Sequence, residues 1–118
     1  MAKAAEGQGF LGKKIPIVFD RPLGSEHPKF GWKYPLNYGY VPDKFSGDGE
    51  EIDVYYLSSD KPLEKIEGKC IGYVRRLDDN EDKLIATNGE KFTTDEIEAK
   101  LEFQEKWYIH EIVLANGK

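Results

Sequence analysis

The sequence predicts a small OB-like β-barrel, closed or partly open, with an α-helix packed against it near the C-terminal end. Two observations carry that expectation. Short runs rich in β-branched and aromatic residues recur between turn signals, and one capped segment of helical period follows them. At 118 residues the chain can bury one modest core but not two. With 39% hydrophobic and 13% aromatic residues it should fold. The first residues are small and polar, so we expect a disordered segment over residues 1–9 and a single domain over 10–118.

The elements follow in order. "KKIPIVF" is a β-branched run that reads as a strand, with Pro16 favouring a sheet edge or a strand start. "DRPLGSEHPKFGWKYP" carries three prolines and two glycines and must be a long ordered loop. "LNYGYVP" is extended, and "DKFSGDGE" is turn-rich. Three further strands, "IDVYYLSS", "GKCIGYVRRL" and "DKLIAT", are separated by "DKPLEKIEG" and the acidic "DDNED". The period then changes. Thr93 and Glu96 form a T-x-x-E capping box, and Ile97, Leu101 and Tyr108 continue along one face of the predicted helix "TTDEIEAKLEFQEKW".

Charge and cysteine usage narrow the function. A net charge of −5 argues against nucleic acid or an anionic membrane as the main partner, whereas a divalent metal could still bring a polyanionic substrate to an acidic surface. The lone Cys70 has no internal disulfide partner, and its setting "KCIGYV" reads as a buried strand thiol. "MAKAAEGQGF" lacks an apolar signal core, and no apolar run approaches the ~20 residues of a membrane span. We therefore expect a soluble cytoplasmic protein.

The chemistry concentrates in "NYGYVPDKFSGDGEEIDVYYL". Asp48 and Glu50, two apart, leave an extended backbone on the same face, whereas Asp53 leaves on the other. Convergence of the three needs a turn or bulge, which "GDG" permits. Such carboxylates suit Mg²⁺, which takes hard oxygen ligands together with waters and phosphate oxygens. A second acid cluster, "DDNED", precedes Lys83. Taken alone, each cluster reads as a solvated turn. "YPLNYGY" changes the balance, because tyrosine hydroxyls and the Asn37 amide can hold phosphate oxygens or metal-bound water. The competing reading is a packed aromatic corner, with Gly39 letting the backbone pass closely. Arg21 offers a planar fork for phosphate, or pairs locally with Asp20.

Together "YPLNYGYVP", "DGEEIDV" and "D-x-x-E-x-K" resemble the soluble family I inorganic pyrophosphatases, over roughly residues 17 to 107. "DRPLGSEHP", "NYGYV" and "DGEEID" are similar to a short bacterial branch of that family. The resemblance implies Mg²⁺-dependent hydrolysis of pyrophosphate to two phosphates, with two or more Mg²⁺ ions and Mn²⁺ as an alternative. It implies Asp48, Glu50, Asp53, Asp78 and Glu81 as metal ligands, with Asp82 competing for the place of Glu81. Glu50 and Asp53 are the implied catalytic carboxylates, and Arg21, Tyr38 and Lys83 the implied phosphate-binding set. Pyrophosphate is the implied partner, and relatives commonly form symmetric homo-oligomers. Asp48, Asp53 and Asp78 should then share one metal ion, with a raised carboxyl pKa among them when it is absent. Asp53→Asn should abolish activity with little loss of stability.

The sequence also departs from the family pattern. An upstream Lys-x-Glu strand is replaced by "KKIPIVF", and a Tyr-Lys pair near the final helix by "EKWYIH". Slower catalysis, a different phosphoanhydride or phosphate binding alone would follow. An OB-like module that stacks single-stranded nucleic acid on its aromatics is the more distant alternative, opposed by the acidic charge.

Overall fold

The computed structural model describes residues 7–45, 50–77 and 82–115. Within them the chain runs from a 3-10 turn (Gly7–Phe10) through β1 (Lys14–Arg21), β2 (Asn37–Phe45), β3 (Glu51–Tyr56), β4 (Lys65–Arg76) and β5 (Asp82–Thr87). Helix α1 (Thr94–Glu105) and strand β6 (His110–Leu114) complete it. The sheet order is β1-β2-β3-β5-β4-β6, and an additional β1–β4 pairing closes the first five strands into a barrel. All pairings are antiparallel except β3 with β5. This is the expected OB-like arrangement.

Backbone economy explains where the barrel can close. β4, at 12 residues, pairs in turn with β1, β5 and β6, and its register shifts between Cys70 and Gly72. A side chain at Gly72 would stand 2.5 Å from the Val113 carbonyl oxygen, so glycine lets β6 approach. Gly39 plays the same part between β2 and β1, where a Cβ would lie 2.0 Å from the Val18 carbonyl oxygen. Pro16 is paired only with β4, since the β2 partners begin at Val18, so its missing N–H removes no ladder bond on the β2 side.

Strand alternation splits the apolar residues into two clusters, which corrects the single core expected from chain length. Ile52, Val54 and Tyr56 of β3 and Leu84 and Ala86 of β5 fill the barrel with Ile17, Phe19, Val41 and Cys70. Burial pushes the Cys70 thiol up to about 11, as suits an inert strand thiol. The opposite faces, Tyr55 and Ile85 among them, pack with Tyr34, Tyr38, Ile97 and Leu101 into a second core under the helix.

Three further expectations need correction. Gly7–Gly9 lies within the N-terminal turn, Gly7 being buried with its N–H donated to the Asp82 carboxylate at 2.8 Å; residues 1–6 lie outside the described part. The capping box forms as read, but the helix stops at Glu105, and its inward face continues from Ile97 and Leu101 to Gln104 and Glu105 instead of Tyr108. The helix is also not the last element, because "HEIVL" adds β6 to β4.

Candidate active site

The period-two alternation that sends Val54 and Leu84 into the barrel sends Asp53 and Lys83 to its outer face. β3 and β5 run parallel with Val54 opposite Leu84, which sets Asp53 beside Lys83. β2 brings Tyr38 against Tyr55 on the same side. The Tyr38 hydroxyl donates to Asp53 Oδ2 at 2.7 Å. Lys83 Nζ donates to the same oxygen at 2.5 Å and to the Tyr38 hydroxyl at 2.9 Å. Burial, followed by the Asp53 charge, raises the Tyr38 pKa well above the ordinary phenol value, so this hydroxyl keeps its proton.

Arg21, opposite Tyr38 in the β1–β2 register, lines the same cleft as Tyr38, Asp53 and Lys83. Its guanidinium donates to the Asp20 backbone oxygen at 3.1 Å, so the local pairing with Asp20 runs through the main chain. Four residues singled out from the sequence, Arg21, Tyr38, Asp53 and Lys83, thus meet in one place although 62 positions separate the first from the last. Glu50 sits exposed in the bend before β3. Asp48, Asp78 and Glu81 lie outside the described residues, and so does the shared metal position that depends on Asp48 and Asp78.

Other expectations resolve differently. Asp82, the rival of Glu81, is taken up by structure: its carboxylate accepts from Arg75 at 3.0 and 3.1 Å as well as from the Gly7 N–H. Asn37 is fully buried and bonded to loop backbone. Its buried side-chain oxygen accepts from the Leu23 and Leu63 N–H groups, and its amide nitrogen donates to the Lys61 carbonyl, stapling two loops under the cleft. Among the described residues Asp20, which the sequence did not single out as a ligand, has a raised carboxyl pKa. Partial burial is the main cause, and the Asp53 and Glu51 charges add to it against the pull of its own backbone and of Arg21.

Sequence reasoning also missed a second polar cluster beneath the helix. Glu105 accepts from Arg76 at 3.0 and 2.9 Å and from the Tyr55 hydroxyl at 2.5 Å. The Gln104 amide donates to the Tyr55 hydroxyl at 2.7 Å. Burial works against the Glu105 charge, yet the Arg76 and Tyr55 hydrogen bonds hold its carboxyl below the usual range. The Tyr108 ring covers the Arg76 guanidinium at 3.7 Å. In the sequence "QEKWY" carried no sign of this, because a buried carboxylate has the same letter as a solvated one.

Against this geometry the comparisons with known proteins are direct. The inorganic pyrophosphatase family model matches residues 16–112. The chain belongs to the inorganic pyrophosphatase family. Inorganic pyrophosphatases from Neisseria meningitidis serogroup A and Xylella fastidiosa are 31% and 38% identical over 96 and 100 residues, covering 63% and 64% of this chain. The Halobacterium salinarum protein is 35% identical over 91 residues, or 73% of this chain. The chain spans about half the length of these curated relatives, 53%, 54% and 49% respectively. Among solved structures, inorganic pyrophosphatase from Ehrlichia chaffeensis superposes with a TM-score of 0.70 at 18% identity, over 97% of this chain and 94% of that one. The Thermus thermophilus enzyme gives 0.61 at 18% identity, over 94% and 86%. These two likenesses establish the pyrophosphatase barrel as the fold. Among the described residues no helix is long and apolar enough to cross a membrane.

Proposed function

We propose that the chain hydrolyses inorganic pyrophosphate to two phosphates at the Asp53–Tyr38–Lys83 cluster, with Mg²⁺ bound. The observation that supports this most is the convergence of Arg21, Tyr38, Asp53 and Lys83 on one cleft in a chain of this family. The donor set suits a hard cation. Asp53, Asp20 and Glu51 gather carboxylate oxygens at this barrel end, and Asp48, Glu50, Asp78 and Glu81 are the further candidates. Among the described residues alone, no three acidic or soft ligands form a complete metal group. When bound, Mg²⁺ would neutralise phosphate charge and make a water more acidic.

The chain's own groups supply the rest. Lys83 presents a donor to a phosphate oxygen, the protonated Tyr38 presents a second once its O–H turns away from Asp53, and Arg21 offers a forked donor in the same cleft. Asp53 holds both donors in place through one oxygen. Glu50, in the bend before β3, is the candidate to orient the attacking water. A lone buried thiol fits a reducing compartment, the cytoplasm. Phosphate release from pyrophosphate, measured with Mg²⁺ and with a chelator, tests the reading. Release only with Mg²⁺ is expected, and no release under either condition overturns it.

A further inference from the structure

The cleft that holds the polar cluster has a second wall the pyrophosphate reaction does not use. Its volume is about 800 Å³, in the range of sites that enclose drug-sized ligands and large for pyrophosphate alone. Phe30, Trp32, His27 and Tyr34 line it from the β1–β2 loop, and Trp107 and Tyr108 from the segment after the helix. The loop rings form a ladder that begins at the polar cluster. Tyr38 stacks on Tyr34 at 5.6 Å, Tyr34 on His27 at 6.2 Å, and His27 meets Phe30 and Trp32 at 4.9 and 4.7 Å.

At the outer end Phe30 and Trp107 are 64% and 66% exposed, so large aromatic faces stand open to water. The Trp32 indole N–H is buried without a hydrogen-bond partner among the described residues. The loop is built to hold these rings in place. A Glu26–Lys33 bridge closes it, with N–H groups of Gly24, His27 and Tyr34 bonded across. Phosphate donors at one end of a cleft and rigid aromatic faces at the other match a ligand that is a phosphate chain at one end and a planar ring at the other. An acidic chain disfavours a long nucleic acid, and a single nucleotide carries both the ring and the phosphate chain.

We propose that the aromatic wall binds the base of a nucleoside polyphosphate whose phosphate chain occupies the pyrophosphate position. The proposal rests on the phosphate-binding reading of the Asp53–Tyr38–Lys83 cluster. In the reaction, water oxygen bonds to a phosphorus of the chain and the bridging P–O bond breaks. The electron pair leaves on the released phosphate, one water proton stays on the attacked phosphate, and the other goes to the leaving group or to solvent.

The test compares ATP and UTP with inorganic tripolyphosphate and pyrophosphate on the full chain with Mg²⁺, by product chromatography and by tryptophan fluorescence. Nucleotides should quench fluorescence where tripolyphosphate does not, and kcat/KM for ATP should exceed that for tripolyphosphate about tenfold or more. Phe30→Ala and Trp107→Ala should each lower nucleotide binding about tenfold and leave pyrophosphate turnover unchanged. Pyrophosphate hydrolysis without nucleotide preference or quenching overturns the base site alone. Quenching and variant-sensitive nucleotide binding without pyrophosphate hydrolysis supports the base site and removes the diphosphatase reading. Variants that dissociate an oligomer in sedimentation, with nucleotide binding intact, overturn the proposal by making the wall a subunit contact.

Discussion

Two clusters in this protein are built from the same parts, a tyrosine, a carboxylate and a cation, on neighbouring stretches of one sheet face. In the Tyr55–Glu105–Arg76 cluster the helix closes the site: Glu105 is fully buried and Arg76 is 5% exposed. In the Tyr38–Asp53–Lys83 cluster the cation is equally buried, Lys83 being 4% exposed, but among the described residues no helix covers the carboxylate, and the Asp53 side chain remains 31% exposed. Identical chemistry therefore divides by access. The buried Glu105 carboxylate holds the helix to the barrel, although Arg76 and Gln104 of its cluster reach the same cleft, whereas in the open cluster Lys83 and Tyr38 can exchange Asp53 for a ligand's oxygens. Removing Glu105 leaves an uncompensated buried charge, while removing Lys83 leaves a carboxylate that water can reach.

The largest effect should come from the covered side. Glu105→Gln strands the Arg76 guanidinium and should cost about 3–5 kcal/mol of folding free energy by urea denaturation. The double change Arg76→Met with Glu105→Leu should recover most of that loss. A loss below about 1 kcal/mol for the single variant would mean that the two clusters are equivalent.

On the open side the expectation moves to turnover. Lys83→Met removes one positioned donor and should lower pyrophosphate turnover on the order of a hundredfold. It should change stability little, because the half-open Asp53 can turn to water. A stability loss matching that of Glu105→Gln would place Lys83 with the covered cluster.

How far the sequence revealed this contrast depended on the kind of signal. Strand runs such as "DKLIAT" and the Thr93–Glu96 cap were legible because period and capping are local. β6 was not: its residues His110–Leu114 bury unevenly, with one exposed and four half-buried positions, so no alternation marks it. The open cluster was visible through motif resemblance. The covered one depended on Arg76 and Glu105 meeting across 29 positions, which pairing of β4 with a packed helix decides and no local pattern records. Asn37 was ambiguous for the opposite reason, since a good phosphate donor is equally a good loop staple, the part its hydrogen bonds show.

The smallest effect concerns pH. His110 donates to the Glu98 carboxylate at 2.8 Å and to the Tyr108 carbonyl at 2.9 Å, and despite partial burial these two acceptors raise its pKa. Its stabilising contribution should be complete below the ordinary imidazole value of about 6.5 and fade as pH rises through the raised folded value. Urea midpoints of the wild type should fall slightly between pH 6 and pH 8 relative to His110→Gln. A parallel pair of curves would remove His110 as the cause.

Asp53→Asn tests the account most directly. From the sequence alone this change should leave stability nearly intact, but the structure pairs Asp53 with the buried Lys83, so a loss of about 1–3 kcal/mol is now expected. The protein should still fold. The decisive reading is Mg²⁺-dependent phosphate release from pyrophosphate by the purified, folded variant beside the wild type. The account predicts that release falls at least about a hundredfold. Near wild-type release would contradict it and make the open cluster, like the covered one, a structural tie.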